Sequence, residues 1–61
     1  MFLEIEVDTR TGIEKGQKEV DGDHIIEKHP NVLDLMSWVK GARVGSVFSI
    51  ISRGYKYKKV S

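Results

Sequence analysis

The chain has no cysteine, a single proline, and no acidic residue after Asp34. The missing cysteines exclude a disulfide framework and every thiolate metal site. No apolar run approaches the ~18 residues of a membrane-spanning helix. Met1-Phe2-Leu3-Glu4 has neither the basic start nor the apolar stretch of a secretory leader, so a cytoplasmic location is expected. The 61 residues leave room for a single domain, residues 1–61, and for no second core. Size scaling gives such a domain a folded surface of roughly 4,000 Å², with about 60% of the unfolded surface buried. A conventional enzyme pocket of ~300 Å³ would consume much of that core. What is present is an ordinary mixture, 39% hydrophobic and 31% charged, which argues against a disordered tail.

Phe2-Leu3-Glu4-Ile5-Glu6-Val7 alternates with the period of a half-buried strand. Leu3, Ile5 and Val7 are expected on the core side, and Glu4 and Glu6 on the solvent side. Asp8-Thr9-Arg10-Thr11-Gly12 supplies turn chemistry. Residues 13–20 then form a weak edge strand or an ordered loop, because Gly16 interrupts them and only Ile13 and Val20 are apolar. Asp21-Gly22-Asp23 signals a turn, with a short strand at His24-Ile25-Ile26. The firmest element is a helix between Asn31 and Gly41. Asn31 can cap it, and Val32, Leu35, Met36 and Val39 make the apolar stripe. Gly41 is expected as its left-handed stop. Val44–Ser52, apolar on both faces, reads as a central strand. Arg53-Gly54 makes a hairpin turn, and Tyr55–Val60 returns as a lysine-guarded edge. The expected fold is α+β: an antiparallel sheet of three to four strands, one helix packed on one face, in the order β-(β)-α-β-β. Its expected core is Leu3, Ile5, Val7, Val32, Leu35, Met36, Val39, Phe48 and Ile50.

Charge is divided unevenly along the chain. Residues 1–34 hold all nine acids and four bases, 4 − 9 = −5, while residues 35–61 hold six bases and no acid, +6. Such asymmetry points to charged partners. The plainer reading is that the halves pair within one sheet and cancel each other.

Chemistry is hard to find. His24 and His29 lie among Asp21, Asp23 and Glu27 at loose spacing, which reads as a solvated acidic turn rather than a metal site. Gly41-Ala42-Arg43-Val44-Gly45-Ser46 is glycine-rich, but it follows a helix and lacks the phosphate-binding lysine. Glu4 and Glu6 share a strand face expected to be exposed, where paired carboxylates do no acid–base work. No nucleophile stands near a base in a comparable segment. The expectation is therefore no enzyme, no cofactor and no metal.

Two surfaces stand out. Arg53, Tyr55, Lys56, Tyr57, Lys58 and Lys59 interleave bases with aromatics, a pattern suited to phosphates and unpaired bases. Edge-guarding lysines have the same composition. Trp38 falls about 240° around the helical wheel from Val32, off the expected stripe and beside Asp34. It either covers the 9–23 segment or anchors a partner. The leading expectation is a small non-enzymatic interaction module, a regulator or inhibitor of a larger host protein of the kind viruses also encode. Its expected contact residues are Trp38, Asp34, Glu4 and Glu6. The alternative is a nucleic-acid-binding module using the basic hairpin. Self-association is a third expectation, because a chain this short leaves its sheet edges uncovered.

Overall fold

Four strands pair in the order β2-β1-β4-β3, every neighbour antiparallel. They are β1 (Phe2–Val7), β2 (Glu14–Val20), β3 (Val47–Ile50) and β4 (Tyr55–Lys59). Two short helices, α1 (Gly22–Lys28) and α2 (Leu35–Gly41), cross one face of this sheet. The computed structural model describes residues 1–61, with an accessible surface of 4097 Å². No helix is long and apolar enough to cross a membrane.

The α+β class and the antiparallel sheet are as the sequence indicates, with one helix more. Asp21 caps α1, accepting the His24 N–H at 2.8 Å. Asp23 stands in its first turn and Lys28 in its last, the order the helix dipole favours. This replaces the strand expected at His24-Ile25-Ile26, because Ile25 packs fully buried in the core between the layers. The second helix starts later than expected. Asn31 sits in a turn, and the cap position belongs to Asp34, in left-handed backbone with φ 68 and no side-chain cap bond. Gly41 is the last helical residue rather than a left-handed stop, and Ala42 leads out with extended backbone.

The helical stripe is also rotated. Trp38, Leu35 and Val39, at about 240°, 300° and 340° on the sequence wheel, form its buried face, and Val32 and Ala42 pack against the core from just outside the helix. Met36, at about 40° on that wheel, is left 51% exposed. Gly22 lets the helices approach: a Cβ there would lie 2.7 Å from Val39 Cγ1.

The two C-terminal strands exchange their expected places. β4 is central and β3 is the edge, because β4 pairs with β1 as well as β3. The chain ends close that pairing: Val60 N–H donates to the Met1 carbonyl at 3.0 Å. The β3–β4 connection is a 3₁₀ turn over Ile51–Arg53 ending at Gly54, which has φ 80. Its Cα faces the Val7 carbonyl so closely that a Cβ would fall 2.8 Å from the oxygen.

The facing of β1 is opposite to the expectation. Phe2 and Glu4 point toward the helices; Leu3, Ile5 and Val7 point to the open face. The core cluster is Phe2, Val20, Ile25, Leu35, Ile50 and Tyr57. Ile5 and Val7 are nevertheless buried, because β1 is an inner strand flanked by β2 and β4. Alternation alone could not assign the side, since both faces of an inner strand lose water.

Candidate functional site

Glu4 is the centre of a polar cluster under the helices. Its position on β1 places it beside Tyr57 on β4 and Lys18 on β2. Helix α1 brings His24 and Lys28 over it from above. Glu4 Oε2 accepts from the Tyr57 hydroxyl at 2.8 Å and stands 2.9 Å from His24 Nε2. Lys28 Nζ lies 3.4 Å from the same oxygen, and Lys18 Nζ 3.9 Å from Oε1. Beyond the phenol, His29 Nε2 lies 2.9 Å from the Tyr57 oxygen. Since Tyr57 gives its proton to Glu4, His29 must donate through Nε2, and its buried Nδ1 carries a lone pair with no partner.

The protonation states follow from these contacts. Burial works against the Glu4 carboxylate, but the Tyr57 and His24 hydrogen bonds and the Lys28 charge outweigh it and hold its pKa below the ordinary value. Burial raises the Tyr57 phenol, and the Glu4 charge raises it further, so Tyr57 remains a donor. Burial lowers His29, helped by the charges of Arg53 and Lys28, which favours the neutral ring. The cluster ties α1 and its exit to the sheet through donors that converge on one carboxylate. Tyr57 is 0% exposed and His29 4%, so neither reaches a substrate in solution. Beside the cluster an open groove of about 280 Å³ runs between Glu4, Glu6, Gln17, Lys18, Lys28 and Tyr55. No three metal-ligating side chains come together anywhere in the chain.

The four expected partner-contact residues do not form one surface. Glu4 is buried, and Glu6 lies exposed at the groove, 3.9 Å from Lys15. Asp34 is exposed in the turn before α2. Trp38 is half-buried, 5.4 Å from Phe2 and 5.5 Å from Phe48 between ring centres, with its N–H donating to Ser46 Oγ at 2.9 Å. It packs against the core cluster that holds Phe2 and Val20.

The basic strand is split by its pleat. Tyr55 and Tyr57 turn toward the helices, where His29 packs edge-on against both rings and Lys28 Nζ lies 4.2 Å from the Tyr55 ring centre. Lys56 and Lys58 occupy the open face, and Lys59 Nζ lies 4.5 Å from the Phe2 ring centre. Arg53 ends the 3₁₀ turn. Lys56 and Lys58 therefore do not share a surface with the rings of Tyr55 and Tyr57.

The sheet edges differ more than the sequence suggests. β2 is guarded by Lys15 and Lys18 and by a register irregularity opposite Glu6 and Val7. β3 reads Val47-Phe48-Ser49-Ile50, with no charge, no proline and no bulge. Exposed Val44, Val47 and Ile51 run along it, at 69%, 50% and 45% exposure. Sequence reasoning missed this site because it took β3 for a central strand. The signal was the absence of charge from Val44 through Ser52 combined with only four strands to cover two edges. No family model, no curated protein and no solved structure matches this chain.

Proposed function

We infer that the protein is a small, non-enzymatic interaction module that docks on a larger protein through the edge of β3. The observation that carries this reading is the unguarded edge itself. Unpaired strand edges template further pairing, and natural proteins ordinarily blunt them with lysine, proline or a bulge. β2 carries such guards and β3 carries none, with exposed apolar side chains beside it instead. Strand addition of this kind draws affinity from main-chain hydrogen bonds and specificity from alternate side chains. The Glu4 cluster fits a supporting role, since its donors are directed at one another. Nucleic-acid binding is less favoured, because Tyr57 offers no stacking face.

The test is Ser49→Pro. Ser49 directs its N–H away from β4, so proline removes an edge donor without removing a ladder bond. Affinity capture from cells that encode the protein, with nuclease present, should retain a partner on the parent chain and lose it on a Ser49→Pro chain with unchanged circular dichroism. Capture that Ser49→Pro leaves intact, or that nuclease abolishes, overturns the reading.

A further inference from the structure

We propose that the β3 edge receives an extended segment whose side chains alternate acidic and apolar, the acids lying over the open face of the sheet. This rests on β3 being the docking edge, and it goes on to specify the partner's chemistry.

The register comes from the backbone. Lys59 N–H donates to the Ser46 carbonyl at 2.9 Å, and Gly45 N–H to the Lys59 carbonyl at 2.8 Å. Antiparallel alternation then turns the polar groups of Phe48 and Ile50 toward β4 and those of Val47 and Ser49 outward. In any strand that pairs there, the residues opposite Val47 and Ser49 share the open face with Lys58 and Lys56. The residues between them share the helix face with Phe48 and the half-buried Trp38 ring.

The charge comes from the imbalance along the chain. Four lysine–carboxylate ion pairs form, and three of them lie wholly within residues 1–34. Lys56–Glu14, at 2.6 Å, is the one that joins the two halves. Lys40, Arg43, Arg53, Lys58 and Lys59 therefore have no acidic partner in the fold. Arg43 precedes β3, Arg53 ends the turn after it, and Lys58 lies opposite Val47 one strand inward. An acid opposite Val47 would sit about 10 Å from Lys58 between Cα atoms, which the two side chains together span.

The same charges disfavour a second copy as the occupant. A two-fold antiparallel pairing of β3 with itself sets the Arg43 end of one chain beside the Arg53 end of the other. Unguarded by side chains on the strand, the edge is protected from self-pairing by the cations around it.

The experiment uses two short synthetic peptides, one alternating valine with glutamate and one alternating valine with lysine, added to the ¹⁵N-labelled full chain. The valine–glutamate peptide should bind about tenfold or more tightly than the other at low salt. It should slow hydrogen exchange at the Val47 and Ser49 amides, and added salt should weaken it. Lys58→Glu, an exposed change outside the strand edge, should reverse the preference. Equal binding of both peptides, protection mapped to β2, or a parent dimer in sedimentation that Ser49→Pro breaks would each overturn the proposal. Failure of both peptides while captured partner still depends on Ser49 would sink the acidic-segment inference alone. Capture independent of Ser49 would sink the docking edge itself.

Discussion

Tyr57 shows how one side chain can serve both the apolar core and a polar cluster. Its ring belongs to the core with Phe2 and Ile25, while its hydroxyl bridges Glu4 and His29. Tyr57→Phe keeps the ring and removes the bridge. Glu4 then loses a charge-assisted donor, and the His29 N–H loses its acceptor in a site without water access. Leaving buried polar groups unsatisfied costs about 1–3 kcal/mol. Domains of this size hold about 3–9 kcal/mol in all. A urea denaturation midpoint should therefore fall clearly for Tyr57→Phe, with native circular dichroism retained before the transition. An unchanged midpoint would mean that the cluster contributes nothing to the fold.

Among the elements, α2 depends on tertiary contact more than on its own sequence. It has seven residues, no side-chain cap bond and a left-handed residue at its start. Isolated helices this short are not stable in water. Trp38 is what fastens it, lying between Phe2 of β1 and Phe48 of β3 and bonded to Ser46. Trp38→Ala should cost about 2–4 kcal/mol, somewhat less than truncating a fully buried tryptophan. Differential scanning calorimetry reads this directly, and slowed exchange at α2 amides should be lost first. A variant melting with the parent would place Trp38 outside the packing that holds α2.

For the molecule as a whole, acid should act in two stages. His29 is held neutral in the fold, whereas the unfolded chain takes up its proton near pH ~6.5. Below that value the unfolded state binds more protons, so the stability fully present above it declines as pH falls toward the lowered folded pKa. Glu4 adds a second stage. Its folded pKa lies below the ordinary value, so its contribution is present above pH ~4.3 and is lost as pH falls through the folded pKa. Denaturant midpoints measured from pH 8 down to about 2 should be flat at first and then decline twice, the second time below pH ~4.3. His29→Gln keeps a donor for Tyr57 but cannot titrate, so it should remove the first decline and leave the second. A first decline that survives His29→Gln would assign it to another group.

The sequence by itself determined the class of the fold, the presence of β1 and α2, the turn after β1, and the charge imbalance, but not the turn expected at Asp21-Gly22-Asp23, which is the start of α1. These are local or compositional properties: an alternation, a helical spacing, turn-forming residues, a count of acids and bases. α1 was legible too, in Asp21 followed by Asp23, Lys28 and then Pro30, but the apparent strand at Ile25-Ile26 competed with it. Tertiary structure decided which face of β1 is covered, and so whether Glu4 is a solvent carboxylate or the centre of a buried cluster. It also decided that His24 of α1 and Tyr57 of β4 meet at that carboxylate, with His29, the cap of α1, behind the phenol. Strand order was decided the same way: β4 became central because both ends of the chain pair there, and that left β3 open. Periodicity of two fixes which side chains share a face but not which face meets the helices, and edge or centre depends on partners distant in the chain.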